Sequence, residues 1–228
     1  MGSATVPRLT AEVIGTAMLV FFGVASLVTS GGQAFIGAVA FLVTAAVAVW
    51  VFGGHFNPWI TLAVAIKGAL DWVGAAIIIV AQLVGGVIGA LFVWAVTGSK
   101  GVNDGLGVTR LSPDIVNADT GFITAILAEA LAVFLLCCVV LAAGGGTNSG
   151  IGMGLAYAAG TLAIFAVTGA SLNFARSLGP DVVMLFAGEK ADWENFGRLW
   201  VYAVSGILGA ALAGLLYPLW RPSAEVRG

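Results

Sequence analysis

Six long apolar segments dominate this chain and constrain its fold more than any other feature. They cover about 9–30, 33–52, 74–97, 121–143, 150–168 and 197–220. Each approaches the roughly 20 residues that a helix needs to cross the hydrocarbon core of a bilayer. Only 9% of the residues are charged, whereas soluble domains carry about a quarter. The sequence therefore predicts an all-α membrane protein with one transmembrane domain over residues 1–228.

Charge and cysteine usage exclude several classes of function. The net charge is −2, and no basic stripe of the kind that binds nucleic acid is present, so we expect no nucleic-acid partner. Cys137 and Cys138 are adjacent within an apolar run, and His55 is the single histidine. These residues do not form a plausible metal-ligand set, so the sequence predicts neither a metal nor a cofactor.

Two shorter apolar segments, 58–68 and 174–186, cannot span a bilayer as single helices. Each follows an asparagine, Asn57 or Asn173, and Pro58 comes directly after the first. Asparagine is a favoured N-cap, and proline is well suited to the first helical turn. At about 1.5 Å per residue, two such half-helices placed end to end cover a hydrocarbon core of about 30 Å. We therefore predict two half-helices that begin inside the membrane.

The two halves of the chain repeat the same order of features. Glu12 lies in the first apolar segment and Glu129 in the fourth, at nearly equal distances before Asn57 and Asn173. Each repeat, about 9–97 and about 121–220, contains three spans and one half-helix. Three is an odd number, so the second copy must enter the membrane from the opposite side. This pattern predicts an inverted repeat with paired discontinuous helices near the midplane.

These features together resemble the aquaporin or major intrinsic protein family over about residues 9–220. The resemblance rests on GGHFNP at 53–58, on the second asparagine followed by Ala-Arg-Ser-Leu-Gly-Pro at 175–180, on a membrane glutamate in each half and on the six spans. The two family signatures read Asn-Pro-Ala. The corresponding segments of this chain read Asn57-Pro58-Trp59 and Asn173-Phe174-Ala175.

The resemblance implies a passive channel for water and small uncharged solutes, with no enzymatic activity. It implies a multi-pass protein of the cell membrane that assembles as a homotetramer in the lipid bilayer. Each signature asparagine would cap its own half-helix and present its amide N–H groups to the pore. The two positive helix ends would then exclude cations and protons.

The resemblance also implies an outer constriction. Arg176, directly after the second signature, would line it, because a charge within an apolar segment is a functional candidate unless it reaches the membrane surface. Counted from the two asparagines, the other members fall on Gly37, Thr161 and Ala170. These side chains are small, so we expect a wide filter that passes glycerol, urea or metalloid acids. Ordinary packing at helix contacts is the alternative for these small residues.

Several further residues have specific expectations. Trp59 and Phe174 replace a small residue and a proline of the signatures, so we expect them to pack against each other. His55 either lines the inner vestibule or forms a structural hydrogen bond. Glu12 and Glu129 should accept hydrogen bonds from the backbone of the signature loops, in preference to relaying protons.

Two other functions remain possible at this point. A secondary transporter would also use inverted repeats and broken helices, but it would need an ion or proton site at the midplane. A sealed relative serving as a membrane scaffold would have its pore blocked, with Trp59 and Phe174 as the expected obstruction.

Overall fold

The computed structural model describes residues 5–144, 147–187 and 192–221. Within these residues the chain forms ten helices. They are α1 (Val6–Thr29), α2 (Ala34–Phe52), α3 (Pro58–Ile66), α4 (Trp72–Asn103), α5 (Pro113–Val116), α6 (Gly121–Ala143), α7 (Thr147–Thr168), α8 (Phe174–Ala187), α9 (Trp193–Gly197) and α10 (Leu199–Trp220).

Six of these helices match the predicted membrane spans. The segments that are long and apolar enough to cross a bilayer correspond to helices α1, α2, α4, α6, α7 and α10. Helix α4 continues to Asn103, beyond the predicted end of its span, but Gly98 interrupts it with φ 59° and ψ −150°. The membrane-spanning part of α4 therefore ends close to where the hydropathy placed it.

The two predicted half-helices are α3 and α8. Helix α3 has 9 residues and α8 has 14, which gives lengths of about 14 Å and 21 Å. Asn57 Oδ1 accepts a hydrogen bond of 2.8 Å from the N–H of Trp59, and Asn173 Oδ1 accepts one of 3.0 Å from the N–H of Ala175. Each asparagine therefore caps the half-helix that follows it, as the sequence predicted.

The packing of the helices brings the half-helices to the centre of the bundle. Helix α1 packs against α4, and α6 packs against α10 in the same way, while α2 and α7 join the two halves. The half-helices cross over: α3 packs against α10, and α8 packs against α4. Each half-helix thus lies against the last long helix of the other repeat, as in an inverted repeat.

Glycines on α4 and α10 permit this close crossing. A β-carbon at Gly86 of α4 would overlap the backbone carbonyl of Ala175 on α8. A β-carbon at Gly206 of α10 would overlap the indole ring of Trp59 on α3. Small residues allow helix backbones to approach closely in membranes, and these two positions are where the half-helices need that approach.

Candidate functional site

The two signature asparagines lie at the centre of the molecule and connect the two halves. Asn57 Nδ2 donates a hydrogen bond of 2.9 Å to the carbonyl of Leu172, and Asn173 Nδ2 donates one of 2.9 Å to the carbonyl of Phe56. Both asparagines are fully buried. Each amide therefore bonds the residue that precedes the other asparagine, and the N-termini of α3 and α8 face each other.

The backbone before each asparagine has an unusual conformation. Phe56 has φ 54° and Leu172 has φ 51°, in the left-handed region that residues other than glycine rarely adopt. Such residues persist where the surrounding structure holds them in place. Here the holding contacts include the bonds from the opposite asparagine amides to these two carbonyls.

Two buried glutamates hold the signature loops from behind. Glu12 accepts hydrogen bonds of 2.9 and 2.8 Å from the N–H groups of the two residues before Asn57. Glu129 accepts bonds of 2.8 and 3.0 Å from the N–H groups of the two residues before Asn173. These contacts are the ones that the predicted loop-supporting role of both carboxylates requires. They also satisfy backbone donors that would otherwise be unpaired at membrane depth.

The sequence analysis missed Tyr157, which lies between the two asparagines. Its hydroxyl oxygen accepts hydrogen bonds of 2.7 Å from Asn57 Nδ2 and 3.1 Å from Asn173 Nδ2. The side chain projects from α7 and is only 2% exposed. A tyrosine in the middle of an apolar span requires a polar partner for its hydroxyl, and that requirement was the sequence signal for this contact.

Arg176 lies next to the asparagine pair, on the side of the molecule where α1 ends and α2 begins. We call this the outer side. Its Nη1 donates a hydrogen bond of 2.8 Å to the carbonyl of Gly107, and its guanidinium carbon lies 5.9 Å from the centre of the Phe41 ring. Arg176 is 2% exposed, and its Nε–H has no hydrogen-bond partner among the described residues. The charge therefore points into the interior of the bundle and is not at the lipid surface.

Phe41 of α2 lies beside Arg176. Gly37 is also buried on α2, and a β-carbon there would overlap the side chain of Leu27 on α1, which lines the outer cavity together with Arg176. Phe41 lies one helical turn further along α2. Phe41 is therefore a candidate member of the constriction that the sequence analysis did not name.

Thr161 and Ala170 lie between the asparagine pair and the outer surface. Both are buried, at 2% and 3% exposure. Thr161 follows Tyr157 by one turn on α7 and precedes Phe165, which lines the outer cavity together with Arg176. Thr161 and Ala170 remain, with Gly37 and Arg176, the expected members of the constriction, and Phe41 is a further candidate.

Two cavities approach this region from opposite ends. The outer cavity, of about 570 Å³, ends at Arg176, and the inner cavity, of about 360 Å³, includes His55. His55 Nδ1 also lies 3.0 Å from Thr61 Oγ1, so its geometry is compatible with both roles considered for this histidine. The linings of these two cavities do not include Phe41 or Tyr157, whose rings lie between Arg176 and the asparagine pair.

Trp59 and Phe174 form the aromatic contact that the sequence predicted. Their ring centres are 5.7 Å apart, and the rings are tilted by 52°. Trp59 also lies against Gly206 of α10, so the pair is buried between the half-helices and α10. The residue that occupies the space between the asparagines is Tyr157, not this pair.

The described residues offer no site for a metal ion. No group of three or more histidine, cysteine, aspartate or glutamate side chains among them could hold one. Cys137 lies with its Sγ 3.5 Å from the carbonyl of Trp59. We interpret this buried thiol as a packing residue.

Comparisons with known proteins agree in pointing to one family. Residues 3–217 match the family described as Major intrinsic protein. The chain is 34% identical to glycerol uptake facilitator protein-like 6 of Lactiplantibacillus plantarum, over 89% of this chain and 93% of that protein. It is 31% identical to aquaporin-4 of Mus musculus, over 96% of this chain and 69% of that protein. Its fold is similar to the X-ray structure of an aquaglyceroporin from Plasmodium falciparum, with a TM-score of 0.81, 19% identity and coverage of 93% and 95% of the two chains.

Proposed function

This chain belongs to the major intrinsic protein family, and from that premise we propose the route by which it conducts. It is an integral multi-pass membrane protein and a passive channel for water and small uncharged solutes. The route runs from the outer cavity past Arg176 to the Asn57–Asn173 pair, and from there to the inner cavity beside His55. Transport along it needs no covalent chemistry.

The geometry of the asparagine pair carries this proposal. Two amide groups direct N–H donors at one point, where an oxygen atom is held at 2.7 and 3.1 Å. A passing water or alcohol oxygen has two lone pairs and accepts from both donors in the same way. The positive ends of α3 and α8 meet at this point and repel cations and protons.

The constriction determines which solutes reach the pair. The Phe41 ring lies beside the guanidinium of Arg176, so one side of the constriction is apolar and the other donates hydrogen bonds. An aromatic ring there leaves less room than the glycine expected from the sequence. We therefore propose that water passes in preference to glycerol or urea. The names of the relatives, one a glycerol uptake facilitator and others aquaporins, do not favour either solute class over the other.

A secondary transporter is the less well supported alternative. It would need an ionisable site open to the substrate path. Glu12 and Glu129, the two buried glutamates of the long helices, each bind two loop N–H groups. Glu12 also accepts from Gln82 at 2.8 Å, and Glu129 accepts from Thr168 at 2.6 Å. Both carboxylates are thus engaged in holding the loops.

Stopped-flow shrinkage of proteoliposomes tests the proposal. We expect osmotic water permeability above that of protein-free vesicles, with glycerol and urea excluded and no ion conductance. Thr161→Phe is the matched control, since it adds a ring to the constriction and should remove the water permeability from a protein that still folds. Equal permeability of protein-containing and protein-free vesicles would contradict the proposal. Coupling of flux to an ion gradient would favour the transporter.

A further inference from the structure

The hydroxyl oxygen of Tyr157 accepts a hydrogen bond from the side-chain amide of each signature asparagine. Each amide has two N–H hydrogens. One is donated across the pair to a loop carbonyl at 2.9 Å. The other is donated to the tyrosine oxygen, at 2.7 Å from Asn57 and 3.1 Å from Asn173. A permeating molecule therefore has no free amide donor to bind while Tyr157 stays in this position.

The ring of Tyr157 fills the space on the outer side of the pair. It stacks on Phe41 with ring centres 5.9 Å apart and an angle of 20° between the planes. Phe41 in turn lies against Arg176. Both rings are only 2% exposed. Together the two stacked rings occupy the space between Arg176, where the outer cavity ends, and the asparagine pair.

We propose that Tyr157 is an internal plug, and that the conformation described here is the closed state of the channel. The phenol oxygen occupies the place of a permeating oxygen atom at the asparagine pair. Conduction requires the ring to leave that place, so the fraction of time that it is displaced limits the permeability of each channel. This inference rests on the proposed function, because a plug has meaning only in a conducting pore.

The chemistry of the contact makes the plug removable. Tyr157 is bound by two neutral hydrogen bonds and by ring stacking, with no ion pair or covalent bond. When the ring leaves, one water molecule can accept from both amides with the same geometry. The displaced state therefore leaves no asparagine N–H unpaired. A charged plug would be harder to remove, because its charge would have to be solvated elsewhere.

Permeability per channel should rise when the plug is removed. A minor conformation in a two-state equilibrium is commonly populated at about 0.1–10%, so truncating Tyr157 should raise water permeability about tenfold or more. We would compare the wild type, Tyr157→Ala and Leu136→Ala in proteoliposomes by stopped-flow light scattering, normalised to protein content. Leu136 is a fully buried residue of α6 outside the described route, so its truncation controls for the loss of a large core side chain. A melting curve in detergent establishes that each protein is folded.

The outcomes separate the plug from the channel itself. A large increase for Tyr157→Ala, with Leu136→Ala at the wild-type level, supports the plug. Equal permeability of Tyr157→Ala and the wild type, both above protein-free vesicles, overturns the plug and leaves the channel intact. Folded Tyr157→Ala vesicles that match protein-free ones overturn both.

A measurement on the wild type alone covers the case in which Tyr157→Ala does not fold. Opening a plug adds an enthalpic barrier, so the water permeability of the wild type should increase steeply with temperature. A weak temperature dependence, together with high permeability per channel, would mean that the pore is open and would overturn the proposal. Tyr157→Thr, which keeps a hydroxyl on a smaller side chain, is the second variant and should also conduct faster than the wild type.

Discussion

Arg176 carries a full charge in the interior of a membrane protein with one direct hydrogen bond, to the carbonyl of Gly107 at 2.8 Å. Its Nε–H has no partner among the described residues. A buried donor without a partner normally costs free energy, and we propose that this N–H donates to the passing solute. The same charge repels cations that enter from the outer cavity.

Removing this charge should weaken the barrier to cations and protons. We expect Arg176→Ala to increase proton leak into dye-loaded proteoliposomes by about tenfold, since a barrier lowered by about 1.4 kcal/mol gives a tenfold faster rate. Water permeability should change much less. Unchanged proton leak would mean that the two half-helix ends exclude charge without help from Arg176.

The ring of Phe41 should set the size limit for neutral solutes. We expect Phe41→Ala to admit urea and glycerol, with the ratio of solute to water permeability rising several-fold, because the apolar side of the constriction is removed. Gly37→Ala tests the position expected from the sequence: its added methyl would meet Leu27 of α1, so it should lower stability and change solute selection less than Phe41→Ala does. If solute flux changed with Gly37→Ala but not with Phe41→Ala, Gly37 and not Phe41 would be the α2 residue that limits solute size.

At the scale of helices, the packing of the half-helix α3 depends on the fit of the large Trp59 side chain against Gly206 of α10, which has no side chain. The indole of Trp59 occupies the space that a side chain at Gly206 of α10 would need. It also contacts Phe174 at the start of α8. An aromatic residue at the end of the first signature is thus accommodated by a glycine on the facing helix and by a second aromatic residue.

A double-mutant cycle tests this fit. Gly206→Ala should cost about 1–3 kcal/mol through overpacking against the indole, and Trp59→Ala should cost about 3–5 kcal/mol through lost packing. The double mutant should be more stable than the sum predicts, by about 0.5–3 kcal/mol, because the added methyl then enters vacated space. Thermal denaturation in detergent gives the comparison, and strictly additive losses would argue against the contact.

The sequence predicted where the helices and half-helices lie along the chain better than it predicted which side of each helix faces the pore. Spans and half-helices follow from local signals, namely apolar run length and the Asn57 and Asn173 caps. The roles of Glu12 and Glu129 follow from the high cost of an unpaired carboxylate in the membrane. In contrast, α2 and α7 are apolar on nearly all sides, so hydropathy does not indicate which residues face the pore. Phe41 and Tyr157 were missed because helix rotation is set by tertiary packing.

At the scale of the whole molecule, the two repeats converge on one set of hydrogen bonds. The Glu12 loop and the Glu129 loop present equivalent backbone N–H groups, equivalent left-handed residues and equivalent asparagine amides. Tyr157 breaks this symmetry at the asparagine pair, because it comes from α7 alone and contacts both asparagines. The repeats therefore build a symmetric donor pair, and one residue of the second repeat occupies it.

Assembly is a further property of the whole molecule. The family resemblance implies a homotetramer, and many large apolar side chains on the outside of the bundle are exposed, among them Trp50, Leu131 and Leu162. We expect native mass spectrometry of the purified protein to give four times the mass of the chain. A monomer as the main species in several mild detergents would contradict this expectation.

The route through the asparagine pair and the constriction is the central claim, and site-directed block tests it most directly. Thr161→Cys places a thiol in the constriction, in the wild type and in Tyr157→Ala. The measurement is osmotic water permeability of proteoliposomes before and after treatment with mercuric chloride, with each parent protein controlling for Cys137 and Cys138. We predict that mercury abolishes water permeability in the cysteine variants, leaves the parents unchanged and has its largest absolute effect in the Tyr157→Ala background. Undiminished water flow through a protein whose Thr161→Cys thiol is fully modified, as measured by mass spectrometry, would show that water takes another path.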